Sequence, residues 1–322
     1  VYKRQLQGSW VAMPTPFTED NKIDFKGFET LINRQIKYGT SQLFILGSAG
    51  EVTLLTLEEK EAIVKEVIQM TKGKIPVFFS AAAFTTDASV SFAQYCEKQG
   101  ADGVVFTVPP YVLINQTAAH IHLDTCMSAV DIPCGIYNNP SRLGVQVMPE
   151  TIKKLSDAHS NFVVDKEALP SVEQLVQVQR LCQGKVKIMC CDFPKYSIVL
   201  PTLAVGGTGT ANIGGNIIPE EAAMYSRAWT DMKIIEECRE GYFKWFPLLQ
   251  ALYTFSNPVV IKAALNILGL PGGHLRKPYQ DFGGQKLADL EKLMGEMGVI
   301  DKYGVKLSLI HISEPTRLGM IS

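Results

Sequence analysis

The sequence predicts a (β/α)8 TIM barrel followed by a C-terminal helical extension. Three observations carry this prediction. Short apolar runs recur about every thirty residues, the length of one strand–helix unit. Each run is followed by a charged segment with helical periodicity. From about Ile234 the runs stop and only helical segments follow. Eight such units in about 220 residues fit a closed barrel better than an open doubly wound sheet, which alternation alone still permits.

The first strand is Trp10–Pro16 and its helix is Phe25–Tyr38. Gln42–Leu46 precedes the helix Leu57–Thr71, whose start is marked by Thr56 ahead of Glu58 and Glu59. Val77–Ala81 pairs with Ala88–Gln99, and Gly103–Val108 with Gln116–Ala129. Cys134–Tyr137 comes before Pro149–Asp157, where Pro149 followed by Glu150 signals a helix start. Phe162–Lys166, Val186–Cys191 and Gly207–Ile213 complete the strands, with helices Ser171–Cys182, Tyr196–Ala204 and Glu220–Thr230. The barrel domain is therefore 6–232, and 233–306 is a helical subdomain. Its helices are Glu236–Ser256, Pro258–Leu268 and Lys286–Met297, interrupted by Leu270-Pro-Gly-Gly-His274. Residues 1–5 and 307–322 resemble translated adapter sequence and are read as non-native tails, so His311 is set aside with them.

Composition narrows the function classes. With 322 residues, 46% of them hydrophobic, and a formal net charge of −1, the chain has a large core and no electrostatic bias toward nucleic acid or anionic membrane. No uncharged apolar run reaches the ~18–20 residues of a membrane helix. The seven cysteines are odd in number, contain no Cys-x-x-Cys pair and follow no signal peptide, which points to reduced thiols and a cytoplasmic protein. Cys190 and Cys191 read as small buried hydrophobes.

Lys166 stands at the end of the apolar run Asn161-Phe-Val-Val-Asp-Lys166, where it would point into whatever the strand encloses. Burial disfavours an ammonium and can lower its ordinary pKa of ~10.4 toward neutrality, giving the free amine that attacks a carbonyl. A lysine that snorkels to solvent is the competing reading. Barrel enzymes build their sites from strand ends on the C-terminal face. Those ends supply Gly47-Ser48-Ala49-Gly50-Glu51, Val108-Pro-Pro-Tyr111, Tyr137-Asn-Asn-Pro-Ser-Arg142-Leu-Gly144 and Gly206-Gly-Thr-Gly-Thr-Ala211. The glycine turn lets backbone N–H groups approach a small anion, with the Ser48 hydroxyl as a further donor, although such a turn is often only a turn. Tyr137 offers a phenol that can give and take a proton beside an amine, or it is a buried tyrosine bonded to backbone. Arg142 carries the planar fork that binds a carboxylate, or it is a solvated loop residue.

Taken together, the Gly-Ser-x-Gly-Glu turn, the Tyr-Asn-x-Pro-x-Arg-x-Gly segment and Lys166-Glu-Ala resemble the dihydrodipicolinate synthase and N-acetylneuraminate lyase family. Ala12-Met-Pro-Thr-Pro-Phe17 and Leu270–Pro278 extend the resemblance from about Gly8 to Lys302. The resemblance implies a homotetrameric barrel without metal or organic cofactor, in which Lys166 forms a Schiff base with pyruvate or another 2-keto acid and an aldehyde is the co-substrate. It further implies Tyr137 as proton shuttle, and Ser48 with N–H groups near Ala49 as carboxylate holder. Gly47, Gly50, Tyr111 and Ala211 fall at substrate-binding positions. Arg142 matches the arginine with which the synthases hold aspartate semialdehyde, and which the sialic acid lyases lack.

Three positions depart from the family pattern. Ala49 removes a hydroxyl donor from the turn, and Val112 stands where the synthases have a second tyrosine that relays protons across a subunit interface. Asp165 replaces an apolar residue, and alternation turns it toward the helix layer, where a basic or hydroxyl partner from the flanking helices is expected. A 2-keto-3-deoxy sugar acid aldolase or dehydratase, or another pyruvate lyase of the same family, is the alternative enzyme, and an inactive barrel acting as a binding module is the non-enzyme alternative. A metal-dependent hydrolase is disfavoured, since His120 and His122 face different sides of one predicted helix, His159 is also helical, and no histidine ends a strand.

Overall fold

The computed structural model describes residues 6–192 and 198–305. The proposed tails at 1–5 and 307–322, and Tyr196 at the start of one expected helix, lie outside them. Eight parallel strands close into a barrel in sequence order: β1 Gly8–Ala12, β2 Gln42–Ile45, β3 Val77–Ser80, β4 Gly103–Phe106, β5 Cys134–Asn138, β6 Phe162–Glu167, β7 Lys187–Cys190 and β8 Gly209–Asn212. β8 pairs back onto β1, with Gly8 opposite Gly209. A Cβ on Gly209 would sit 2.1 Å from the Gly8 carbonyl oxygen, so the closing seam requires glycine.

The barrel helices are α1 Phe25–Lys37, α2 Leu57–Thr71, α3 Thr86–Gln99, α4 Gln116–Ser128, a short α5 Pro140–Leu143, α6 Pro149–Ala158, α7 Val172–Cys182, α8 Val199–Ala204 and α9 Pro219–Tyr225. The extension consists of α10 Met232–Leu252, α11 Val259–Ile267, α12 Gln285–Glu296 and α13 Val299–Tyr303. The Thr56 signal is a full capping box, its hydroxyl accepting from Glu59 N–H while the Glu59 carboxylate accepts from Thr56 N–H. Inside the barrel Gln42 reaches Met189 across the axis, and Trp10 packs edge to face against Phe44 and Phe78 at 5.3 and 5.4 Å. Each of these rings is fully or nearly fully buried, contributing about 1.5–3 kcal/mol apiece.

Several boundaries differ from expectation for identifiable reasons. β1 runs Gly8–Ala12 rather than Trp10–Pro16. Met13 N–H makes one more bond to Phe44, and then Pro14 and Pro16, which have no N–H, take the apolar run out of the sheet as a buried loop. α5 was not expected. It forms because Asn139 caps it, Pro140 opens it and Gly144, at φ +80°, ends it. α9 ends at Tyr225, short of Thr230, and α10 starts at Met232 because Asp231 accepts from Ile234 N–H as its cap. α10 stops at Leu252 rather than Ser256, which frees 253–257 to lie against the barrel mouth.

The extension is pinned to the barrel by charge. Glu51, at φ +54°, forms an ion pair with Lys262 of α11 at 2.6 Å, and both side chains are buried. Burial pushes the Lys262 ammonium down to about 8 despite the neighbouring Glu51. Arg276 clamps Glu59 at the start of α2. Among the described residues no helix is long and apolar enough to cross a membrane.

Candidate active site

The C-terminal ends of the strands open onto a cleft of about 390 Å³, lined by Lys166, Tyr137, Ser48, Arg142, Ala211 and Cys191 among others. Lys166 reaches it from β6, only 3% exposed, while its neighbours in the strand alternate to the other face. β5 and β6 pair with Tyr137 opposite Lys166. The Lys166 nitrogen lies 3.5 Å from the centre of the Tyr137 ring and 5.4 Å from that of Phe44, so two aromatic faces form its walls. It donates a hydrogen bond to Cys191 Sγ at 3.4 Å.

The charge state of Lys166 differs from the expectation of a depressed amine. Burial acts to lower its pKa, but the Cys191 sulfur and the Tyr137 phenol favour the ammonium more strongly, and the net direction is up. Cys191 is pushed up by burial, with the Lys166 charge pulling in the other direction. Lys166 thus rests as an ammonium.

Tyr137 is oriented by its own loop. Asn139 Nδ2 donates to the phenol oxygen at 2.6 Å, and the Asn139 carbonyl in turn accepts from Ser141 and from Arg142 N–H. The asparagine that caps α5 therefore also fixes the tyrosine. Arg142 stands at the cleft rim, 3.5 Å from Ser256 of the extension loop. Ser48 opens a 3₁₀ turn, Ser48–Gly50, whose Gly50 N–H is spent on the Gly47 carbonyl. A side chain at Gly47 would strike Phe44 at 2.6 Å. Ala49 and Gly50 are buried behind Ser48 and contribute backbone.

Tyr111 lies apart from the cleft of the single chain. It is 90% exposed, at φ +73°, and is not among the cleft's lining residues. The loop leaving β4 through Pro109 and Pro110 turns outward, so Tyr111, Val112 and Leu113 all face solvent in the single chain.

Asp165 is a correction. It is wholly buried, and among the described residues no basic or hydroxyl group reaches either carboxyl oxygen. The expected helix-borne basic or hydroxyl partner is replaced by another acid, Glu167, two residues along the same strand face. Burial and then Glu167 hold Asp165 well above the usual carboxylate range, and burial pushes Glu167 up to about 7. Asn138, Gln174 and Leu169 N–H satisfy Glu167, and Asp165 is kept as a neutral acid.

Other residues in the site were missed from sequence. The sequence points to Cys190 and Cys191 alike as core, yet only Cys190 is core, and Cys191 is half-buried at the cleft. Its place one residue beyond β7 was the available signal. The loop 253–257 was concealed by the helical periodicity of α10. Tyr253 from that loop donates to the buried Asp192 at 2.6 Å, beneath the cleft wall. Two histidines serve packing: His122 bridges Thr86 and the Thr107 carbonyl, and His159 meets Asp124.

The chain resembles known proteins over most of its length. Residues 5–297 match the profile described as the Dihydrodipicolinate synthetase family. A 4-hydroxy-tetrahydrodipicolinate synthase of Methanococcus maripaludis (strain C6) is 30% identical over 295 residues, 92% of this chain and 100% of the relative. One from Clostridium perfringens is 31% identical over 295 residues, 92% of this chain and 99% of the relative. The crystal structure of dihydrodipicolinate synthase from Aquifex aeolicus superposes with a TM-score of 0.86 at 26% identity, covering 94% of this chain and 100% of that one. The match spans the barrel and most of the extension and includes the lysine and tyrosine strand ends, so this chain belongs to the dihydrodipicolinate synthetase family of Schiff-base lyases.

Proposed function

We propose that the protein joins pyruvate to a carboxylate-bearing aldehyde through a Schiff base on Lys166, in the manner of a 4-hydroxy-tetrahydrodipicolinate synthase. The observation that carries this reading is the contact between the Lys166 nitrogen and Tyr137 in a closed-walled cleft. The amine attacks the keto carbon of pyruvate, water leaves, and the resulting iminium draws electrons from the adjacent methyl. Loss of a methyl proton gives an enamine, whose carbon bonds to the aldehyde carbon, and Tyr137 protonates the new alkoxide. Ser48 and N–H groups ahead of Gly50 hold the pyruvate carboxylate. Arg142 at the rim takes the carboxylate of the aldehyde, and Ala211 shapes the wall. The iminium is itself the electron sink, so these steps call for no metal or organic cofactor.

A 2-keto-3-deoxy sugar acid aldolase is the second reading, favoured by the hydroxyl and amide groups of Ser141, Thr254, Ser256 and Asn257 around the distal cleft. A homo-oligomer, most simply a tetramer, is proposed because Tyr111, Val112 and Leu113 project together from one loop. Seven free cysteines suit a reducing, cytoplasmic setting. The test is product formation from pyruvate with aspartate semialdehyde against a panel of hydroxyaldehydes. Preference for the semialdehyde supports the synthase, and preference for a hydroxyaldehyde supports the sugar-acid reading.

A further inference from the structure

We propose that Cys191 is a further catalytic residue, its sulfur accepting the hydrogen bond of the Lys166 nitrogen both as the resting ammonium and as the iminium that follows. The proposal rests on the Schiff-base reading of Lys166.

Two features of the fold fix the sulfur in place. β7 ends at Cys190, paired with Glu167, and the next residue, Cys191, gives its own N–H to the Glu167 carbonyl at 3.0 Å. That bond turns the Cys191 side chain into the cleft, where Sγ lies 3.4 Å from Lys166 Nζ. The remaining walls around Nζ are the faces of Tyr137 and Phe44, which attract a cation but offer no lone pair. Among the described residues, Sγ is the one hydrogen-bond acceptor that Nζ meets. The phenol oxygen of Tyr137 is engaged at the ring's far end by Asn139.

The chemistry needs such an acceptor throughout. Ammonium and ketone combine to give iminium and water, with one N–H and the positive charge remaining on nitrogen. In the buried cleft that N–H⁺ is costly unless something accepts from it. The sulfur does so, and it favours the protonated iminium over the neutral imine. Only the protonated form withdraws electrons well enough to release the methyl proton of pyruvate. When that proton passes to solvent water, the C–H pair becomes the enamine double bond and the C=N pair returns to nitrogen, which keeps its N–H.

The experiment is exchange of pyruvate methyl protons with deuterium, followed by NMR across pH in the full-length protein, with borohydride trapping in parallel. The variants are Cys191→Ala, Cys191→Val and Cys191→Ser. Alanine and valine, which lack an acceptor, should still give a trapped adduct on Lys166 at about pH 6. They should exchange about tenfold or more slowly at about pH 8, with the alkaline limb moved down by about one pH unit. Serine, which keeps an acceptor, should restore most of the exchange. An unmoved alkaline limb in either soluble acceptor-free variant would overturn the proposal, as would a serine variant no better than alanine. Lack of a Lys166 adduct in the unsubstituted protein would instead remove the Schiff-base reading on which the proposal stands.

Discussion

Lys166 and Tyr137 are direct neighbours across the β5–β6 pair, with the lysine nitrogen 3.5 Å from the ring centre while Asn139 donates to the phenol oxygen. With a donor already on the oxygen, the phenol's own proton is left to point at a bound substrate. The position of the phenol is thus set by Asn139, two residues along the chain.

Tyr137→Phe keeps the ring that walls the lysine and removes only the proton donor. Turnover should fall by roughly 10²–10⁴ while pyruvate is still trapped on Lys166 by borohydride. An unchanged rate would show that the phenol moves no proton that matters.

Arg142 stands at the rim rather than beside Lys166, so its loss should spare the first half-reaction. Arg142→Ala should lower kcat/KM for the carboxylate-bearing aldehyde by about 10–100-fold through KM, leaving pyruvate adduct formation intact. Equal loss in both steps would mean that the arginine supports the cleft rather than the aldehyde.

Asp165 gives a pH signature. Its folded pKa is raised above the unfolded value of ~3.9, so below about pH 4 both states hold the proton and no difference arises. As pH climbs, the unfolded chain releases that proton while the folded one retains it, and stability declines. Glu167, raised to about 7, adds to the same slope up to neutrality. Asp165→Val should therefore raise Tm, by the equivalent of about 1–3 kcal/mol, and raise it more at pH 8 than at pH 5. A variant less stable than the original at pH 8 would mean that the buried acid has a stabilising partner.

Glu51 and Lys262 form the buried joint between the glycine turn and the extension. Lys262→Met leaves a carboxylate buried without its partner and should cost about 3–5 kcal/mol, whereas the double variant with Glu51→Gln should recover part of that loss. Denaturant unfolding of both variants measures this. Additive losses would show that the two groups are not coupled.

The barrel was legible because parallel strands buried on both faces leave apolar runs, and the helices between them leave a 3.6-residue period. Lys166, Tyr137, Ser48, Arg142 and Ala211 were legible because strand ends converge in a barrel, and all five line the cleft. Tyr111 obeyed the same rule and yet points outward, since two prolines direct its loop away from the axis. The charge state of Lys166 was not legible, because it depends on a sulfur from the next strand. Neither was the loop 253–257, because nothing local marks where α10 stops short and turns back toward the barrel mouth. Asp165 was rightly placed in the helix layer, but its acidic neighbour in the same strand was overlooked in favour of a partner from outside.

The proposed mechanism makes Lys166 the nucleophile. Borohydride reduction of the purified protein with pyruvate, read by intact-mass and peptide mass spectrometry, tests it most directly. One pyruvate-derived adduct per chain is expected, located on Lys166 and absent in Lys166→Met. An adduct on another lysine, or none from the folded protein, would contradict it.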